Sequence, residues 1–285
     1  MVDLPTNLDN PKPASRSLLP PRTMRRLRIY SGRTRAIAGG LRHPCLFLHM
    51  PKCGGTSLSE ALYSTVPLHK TVAVLDAVST RRAAAIMAFD RDEEALCHDD
   101  LEHGHLTFAL REQLMLAQMA AGAQLIHGHV LYSPAAARHF GKQYRIVSLM
   151  REPVARALSN FAMMAGNGYC SPDVEAWLDG PIGRSHATVF LRYLGGQNVV
   201  TAEEEPAVLD RALARLDDIA VMGFLDDLPR FLSRFADTFG PKPQVHRYNQ
   251  AAWPKVTLTP GQRARLEQAC AADTAIYEAA RRKFA

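Results

Sequence analysis

Short, almost wholly apolar runs alternate with longer segments of helical periodicity along most of the chain. The first run, CLFLHM at 45–50, is bounded by prolines, as is typical of a strand buried on both faces of a parallel sheet. Similar runs predict strands at 123–130, 144–150 and 218–225. The intervening patterns predict helices at 56–64, 77–89, 111–121, 153–164, 206–216 and 227–239, and from Pro260 to the C-terminus. This alternation predicts an α/β fold, with a central parallel sheet covered by helices on both faces.

The N-terminal segment lacks this alternation and is strongly basic. Residues 1–42 hold one lysine and eight arginines against two aspartates, a charge of +7, whereas residues 43–285 sum to −1. The net charge of +6 therefore belongs to this segment. Pro-rich sequence next to charge of one sign favours a disordered arm, which would precede a single catalytic domain at 43–285. The alternative is an arm that binds a polyanion, an anionic membrane surface or an acidic partner.

The cysteine pattern is typical of a protein from a reducing compartment, and the apolar runs predict neither a membrane-spanning helix nor a signal peptide. No run approaches the roughly 18 apolar residues of a membrane-spanning helix, and residues 1–19 lack the apolar core of a signal peptide. The five cysteines are scattered and never form a Cys-x-x-Cys pair, which argues against a disulfide framework and a structural zinc site. We therefore expect a cytoplasmic protein, which would be peripheral to a membrane if the arm binds one.

The first candidate site begins where the first predicted strand ends. The stretch FLHMPKCGGTSL, 47–58, places a lysine, two glycines and two hydroxyl side chains between this strand and the next helix. Ligands bind at the carboxyl ends of parallel strands, where the following helix offers unpaired N–H groups and a positive dipole to an anion. The candidate phosphate-binding residues are Lys52, Cys53, Gly54, Gly55, Thr56 and Ser57. The alternative is an ordinary turn with an exposed lysine.

A second candidate anion site follows the strand predicted at 144–150. In SLMREPVARALSNF, 148–161, Arg151 directly follows the strand, and Ser159 comes about two helical turns later. A guanidinium fork matches the oxygens of a phosphate, and a hydroxyl adds a further donor. Because the lysine of the first loop precedes its glycines, the G-x-x-x-x-G-K-[ST] motif of nucleoside-triphosphate enzymes is absent. This order disfavours a kinase or NTPase, which stays open as an alternative.

Together, the two motifs resemble those of sulfotransferases that use 3′-phosphoadenosine 5′-phosphosulfate (PAPS). HMPKCGGTSL is similar to the loop that binds the 5′-phosphosulfate, and REPVARALSNF is similar to the motif that binds the 3′-phosphate, as in the group of heparan-sulfate 2-O-sulfotransferases and bacterial relatives. The resemblance is close over 45–58 and 146–161, looser over the rest of 43–285, and does not include the arm. It implies a P-loop-like strand-loop-helix that holds PAPS. One departure is Cys53, where the family often has threonine.

The same resemblance implies a catalytic base. LIHGHVLYS, 125–133, is similar to the His-Gly-His segment of the 2-O-sulfotransferase branch, so that His129 would be the base and His127 a supporting or substrate-binding residue. A histidine near its ordinary pKa takes a proton from a hydroxyl at neutral pH. LEHGHLTF repeats the tripeptide with His103 and His105, but it follows an acidic stretch without a strand pattern. We therefore expect this second copy to lie in a loop.

The activity implied by the resemblance is sulfuryl transfer from PAPS, without a metal ion, to a hydroxyl of a glycan, a glycolipid or a small molecule. Lys52 would stabilise the leaving group, whereas Arg151 and Ser159 would hold the 3′-phosphate. The alternatives are a nucleotide kinase or NTPase and a non-catalytic nucleotide-binding scaffold. A scaffold is expected to lack the base or a phosphate motif, and the sequence has both. Nucleic-acid binding is not expected, because the basic residues lie on the arm without aromatic partners.

Overall fold

One parallel sheet lies at the centre of the structure, a computed structural model that describes residues 21–245 and 256–285. Within these residues the strands are β1 (Cys45–Leu48), β2 (Val72–Leu75), β3 (Leu125–Gly128), β4 (Arg145–Met150) and β5 (Ile219–Phe224). They lie in the order β2-β3-β1-β4-β5, and each neighbouring pair is parallel.

Helices precede, connect and follow these strands. They are α1 (Pro21–Arg35), α2 (Gly55–Tyr63), α3 (Ala77–Phe89), α4 (Gly104–Ala120), α5 (Pro134–Phe140), α6 (Pro153–Gly166), α7 (Val174–Asp179), α8 (Pro181–Ala187), α9 (Val189–Gly195), α10 (Glu205–Ala214), α11 (Leu228–Phe239), α12 (Pro260–Ala269) and α13 (Ala271–Phe284). Short 3₁₀ helices lie at Ala36–Ala38, Glu94–Cys97, Arg215–Asp218 and Leu225–Asp227. Among the described residues, no helix has both the length and the apolar character needed to cross a membrane.

The central strand β1 is buried on both faces. Leu46 and Leu48 pack in a cluster with side chains of α4, α9, α10 and α13, whereas Cys45 and Phe47 pack with α2 and α11. Successive side chains of a strand point to opposite faces, so this alternation places a helical layer on each side of the sheet. The predicted α/β fold, a parallel sheet with helices on both faces, is confirmed.

The strand order creates a crevice between β1 and β4. From β1 the chain continues to β2, on the far side of β3, whereas from β4 it continues to β5 at the opposite edge. Neighbouring strands whose connections leave in opposite directions leave a gap at their carboxyl ends, and open parallel sheets bind ligands there. The residues that follow Leu48 and those that follow Met150 therefore border one crevice.

Several elements have no counterpart among those predicted from the sequence. Strand β2 is an apolar run of only four residues, VAVL, at one edge of the sheet, and two of its four residues are not buried. Helices α7, α8 and α9 have only six or seven residues each, too few for a helical period to stand out. The single helix predicted from Pro260 onward is two helices, α12 and α13, which meet at Cys270.

The second His-Gly-His copy was predicted in a loop; His103 does lie in a turn, but the prediction is wrong for Gly104 and His105, which are helical. His103 is the N-cap of α4, and the helix begins at Gly104 rather than at Arg111. A Cβ at residue 104 would lie 2.6 Å from the carbonyl oxygen of Asp99. The glycine therefore lets the first turn of α4 pack directly on the preceding backbone, a tertiary contact that the local pattern does not reveal.

The basic arm is folded over part of its length, contrary to the prediction of disorder. Residues 21–35 form α1, which packs against α2. The Arg33 guanidinium donates to four carbonyl oxygens of the segment after α2. These acceptors are Val66 (3.2 Å), Pro67 (3.2 Å), Leu68 (3.4 Å) and Lys70 (2.7 Å). Arg33, a charge that the composition predicts to be solvated, thus fixes the helix to the domain. Residues 1–20 of the predicted arm lie outside the described residues.

Close packing at Gly32 predicts that one methyl group will loosen α1. In Gly32→Ala the new Cβ would lie 2.4 Å from the Cβ of Ser64, closer than packed carbon atoms allow, so α1 must move away from α2. Alanine favours an isolated helix over glycine by about 1 kcal/mol, so helix propensity alone predicts the opposite sign. We expect faster amide hydrogen exchange across α1 in this variant, measured by mass spectrometry.

Thr34→Ala is the matched control for this substitution. Thr34 is an exposed residue of the same helix, and its hydroxyl donates within α1 to the Tyr30 carbonyl. Exchange across α1 should be nearly the same in this control as in the unaltered protein. Slower exchange in Gly32→Ala would contradict the docking of α1 on α2.

Candidate active site

The loop between β1 and α2 has an unusual backbone conformation. Lys52 and Gly54 both have positive φ, 64° and 80°. Glycine adopts this left-handed region freely, whereas a lysine pays on the order of 1–2 kcal/mol, and strain of this kind clusters at functional sites. Gly54 is the N-cap of α2, so the loop leads directly into the unpaired N–H groups of a helix N-terminus.

The two glycines of the loop also permit close packing on its neighbours. A Cβ at Gly55 would lie 1.7 Å from Nε2 of His49, and a Cβ at Gly54 would lie 2.6 Å from Cδ1 of Leu225. The imidazole edge of His49 therefore borders the start of α2. No motif in the sequence distinguishes this histidine from its apolar neighbours in CLFLHM.

Lys52 and Arg151 form a pair of neighbouring cations at the crevice. Nη1 of Arg151 lies 3.4 Å from the carbonyl oxygen of Lys52, and both side chains are half-buried. Burial lowers the pKa of the Lys52 ammonium, and the Arg151 charge lowers it further. Burial likewise lowers the pKa of the Arg151 guanidinium. A dominant ion pair would raise these pKa values, so the two charges together favour the binding of an anion.

The other predicted anion-binding residues lie on the loop, on the first turn of α2 and on α6. Cys53 is buried, and burial raises the pKa of its thiol to about 12, so the thiol stays protonated; it donates to the Pro51 carbonyl (3.6 Å), which leaves the backbone N–H for an anion. Thr56 and Ser57 lie in the first turn of α2. Ser159 lies half-buried on α6. Unlike Arg151, it has no hydrogen bond to the loop in the described part of the chain.

Three histidines and a tyrosine form a cluster at the carboxyl ends of β1 and β3. The Tyr63 hydroxyl lies 2.6 Å from Nδ1 of His127, and Nε2 of His127 lies 3.0 Å from Nδ1 of His49. The rings of His49 and His129 stack with centroids 4.4 Å apart. Phe47 pairs in register with His127, and His49 and His129 each come two positions further along the chain. Side chains two positions apart point to the same face of a strand, so these rings lie on one side of the sheet. The structure thus brings both predicted histidines next to β1, the strand that precedes the loop at 52–57.

The hydrogen bonds of His129 determine its tautomer. Its Nδ1 lies 2.7 Å from the carbonyl oxygen of His49. Because a carbonyl oxygen only accepts, Nδ1 carries the proton, and the lone pair of the neutral ring is on Nε2. Arg111, itself fully buried, donates to the carbonyl of His129 (3.0 Å) and forms a two-point ion pair with Asp99 (2.7 and 3.0 Å). Ring and backbone of His129 are therefore both held in place.

The three histidines of the cluster are neutral at pH 7. Burial lowers the pKa of His129 to about 4 and that of His127 to about 3. Burial, followed by repulsion from the other two rings, lowers the pKa of His49 well below its ordinary value. A neutral imidazole can accept a proton, although a pKa near 4 makes it a weak base. An anion bound nearby would strengthen it, because negative charge stabilises the imidazolium.

The repeated tripeptide does not take part in this cluster. His105 is exposed on the first turn of α4, and the ring of His103 contacts Phe89, with centroids 4.8 Å apart. Within residues 21–245 and 256–285, no three His, Cys, Asp or Glu side chains are grouped so as to hold a metal ion. The metal-independent reaction implied by the resemblance stays a prediction.

The lowered histidine pKa values predict a loss of stability in acid. The unfolded chain takes up protons on histidine below about pH 6.5, whereas folded His129 does so only near pH 4. Between these values the unfolded state binds more protons, so the free energy of unfolding falls as the pH falls. We expect a decrease of about 1–3 kcal/mol from pH 7 to pH 5, measured by urea unfolding.

Two variants separate the cluster from other titrating groups. His129→Asn removes one buried imidazole while its amide can still donate to the His49 carbonyl, so its pH dependence should be shallower. His105→Asn removes an exposed imidazole, and its pH dependence should match that of the unaltered protein. The same slope in all three proteins would contradict the pKa assigned to His129.

Comparison with protein-family models finds no match for the chain, and comparison with curated proteins finds no relative. The resemblance to sulfotransferases therefore rests on the residues of the two anion-binding motifs and of the His-Gly-His segment. What the structure adds is their arrangement: a base candidate, an anion-binding loop and an arginine at the carboxyl ends of three adjacent strands.

Proposed function

We propose that the protein transfers a sulfuryl group from PAPS to a hydroxyl group of an acceptor. The observation that carries this proposal is the order of three side chains at the carboxyl ends of neighbouring strands. His129 follows β3, Lys52 follows β1 and Arg151 follows β4, and these strands are neighbours in that order. Strands lie about 4.8 Å apart, so base, loop and arginine fall on consecutive strands spanning about 10 Å.

In this proposal the loop binds the 5′-phosphosulfate. The Lys52 ammonium and the N–H groups of residues 53–57 would bind its oxygens at the N-terminus of α2. The neighbouring Arg151, with Ser159, would bind the 3′-phosphate. Burial lowers the pKa of both cations, which supports this assignment, because bound anionic groups stabilise two neighbouring positive charges. Binding energy from the remote 3′-phosphate would position the sulfuryl group for attack.

The chemical step is an in-line displacement at sulfur. The acceptor oxygen forms a bond to sulfur while the bond from sulfur to the 5′-phosphate oxygen breaks, and 3′-phosphoadenosine 5′-phosphate (PAP) leaves. The acceptor proton passes to Nε2 of His129. Charge that develops on the leaving oxygen is stabilised by Lys52 and the loop N–H groups, which is where preorganised donors accelerate a reaction most. His127 supports the base through its contacts with His49 and Tyr63.

Binding of PAP tests the proposed donor site. We expect saturable binding by calorimetry, with much weaker binding of ATP and of the isomer that carries a 2′-phosphate. Arg151→Ala should weaken binding of PAP about ten- to a hundredfold, because a charged hydrogen-bonded group is lost. Lys52→Ala should affect PAP binding less and reduce turnover more.

Two binding results would contradict the proposal. Tight binding of ATP together with absence of PAP binding by the folded protein would favour a kinase or NTPase. Equal affinity of Arg151→Ala and the unaltered protein for PAP would remove the 3′-phosphate site.

Comparison of the two His-Gly-His copies tests the base. His129→Ala should abolish transfer of labelled sulfate from PAPS to a panel of glycans, glycolipids and small alcohols, while PAP binding stays within about threefold. His105→Ala should leave both transfer and binding unchanged, because its ring is exposed on α4. Full transfer by His129→Ala, or its loss in His105→Ala, would show that the base is assigned to the wrong tripeptide.

A further inference from the structure

A cavity of about 290 Å³ lies between α1 and α2, and the proposed reaction makes no use of it. Ser57, Glu60, Ala61 and Ser64 line it from α2, at the spacing of one helix face. Ser57 also lies in the first turn of α2, directly after the anion-binding loop. The cavity and the candidate donor site therefore share a wall.

The opposite wall carries the arginines of α1. Arg25, Arg28 and Arg35 line the cavity, and together with Gly32 they follow one another at spacings of three and four residues. Such a spacing places all four on one face of the helix. The contact of Gly32 with Ser64 turns this face toward α2. The arginines are thus held over the cavity by backbone packing.

Most of the charged side chains that line the cavity are basic. Its charged lining residues are the three arginines and Glu60, which forms an ion pair with Arg25. The formal charge of this lining is therefore +2, next to a loop that already carries Lys52. The Arg33 carbonyl contacts fix α1 beside α2, and the exposed side chains of Arg28 and Arg35 line the cavity from this helix.

We propose that this cavity binds a tetrahedral oxyanion, a phosphate or sulfate ester, that is carried by the acceptor. Guanidinium groups match the oxygens of such esters, and the Ser57 hydroxyl offers a further donor. A volume of about 290 Å³ is at the lower end for ligand pockets, so the cavity takes the charged group and an adjoining sugar unit. The oxyanion site stands independently of the proposed function, whereas its assignment to the acceptor rests on that function.

Nuclear magnetic resonance of the ¹⁵N-labelled full chain tests the site. The probe is inorganic phosphate, added at constant ionic strength to protein with and without saturating PAP. We expect saturable shifts of amides in the first half of α1 and at Ser57 and Glu60, in both conditions. Sodium chloride added in the same increments should not shift these amide resonances.

Matched arginine variants identify the groups that bind phosphate. Arg28→Gln/Arg35→Gln should raise the apparent Kd for phosphate at least fivefold. Arg26→Gln removes an exposed charge of the same helix that does not line the cavity, and it should change the Kd less than twofold. Absence of saturable shifts in α1, or the same Kd in the double variant, would overturn the oxyanion site.

PAP distinguishes failure of this inference from failure of the proposed function. If PAP leaves residues 52–57 and Arg151 unshifted while phosphate shifts α1, the proposed function fails and the oxyanion site stands. If PAP displaces phosphate from α1, the cavity belongs to the donor site, and its assignment to the acceptor is overturned. A hexose phosphate that binds PAP-filled protein more tightly than the same unphosphorylated hexose would support that assignment, and equal affinity would contradict it.

Discussion

The parallel pairing of β3, β1 and β4 is the constraint on which the candidate site depends. Leu48 at the end of β1 pairs with Gly128 at the end of β3 and with Ser148 near the end of β4. Side chains from three distant parts of the sequence therefore reach one edge of the sheet. A shift of one residue in this register would turn the β3 histidines to the other face, away from His49. Sheet register thus controls the chemistry as directly as the residue types do.

Two sets of buried ion pairs lie next to the candidate site. Below His129, Asp99 pairs with Arg111 and Arg81, and the positive charge of both lowers its pKa against the cost of burial. Beside the arginine motif, the fully buried Arg156 pairs with Asp273, which also accepts the N–H groups of Phe190 and Leu191, each at 2.9 Å. Removal of one partner from such a pair typically costs about 3–5 kcal/mol.

These pairs contrast with the cations of the crevice. Arg111 and Arg156 each have a carboxylate partner and lie wholly inside the protein. Lys52 and Arg151 are half-buried, and burial lowers the pKa of both. These basic side chains thus differ in role: Arg111 and Arg156 pair with carboxylates inside the protein, whereas Lys52 and Arg151 leave positive charge at the crevice. The second arrangement suits a ligand that brings its own negative charge.

Local sequence was enough to predict the strands that matter and the loop at 52–57. Each of the apolar runs for β1, β3, β4 and β5 is buried and bounded by polar or turn residues, so period and length identify it. His49 lies within the same stretch, yet its part in the site follows from pairing with β3, which no local pattern encodes. The contact of Tyr63 with His127 likewise depends on how α2 packs against the sheet, which no local pattern encodes.

Charge composition was a poor guide to the N-terminal segment. It predicted a solvated arm, whereas carbonyl acceptors for Arg33 and the missing side chain of Gly32 dock α1 on the domain. Likewise, the acidic stretch before His103 resembles a loop, but tertiary packing at Gly104 makes the tripeptide start a helix. In both cases a glycine contact with distant or preceding backbone outweighs the local signal.

We propose that the crevice between β1 and β4 holds a nucleotide with two phosphate groups. A crystal structure of the full chain with PAP tests it most directly. We predict the 5′-phosphate on the N–H groups of residues 53–57 beside Lys52, and the 3′-phosphate within hydrogen-bond distance of Arg151 and Ser159. A nucleotide bound away from this edge, or bound here with neither phosphate on these residues, would contradict the claim.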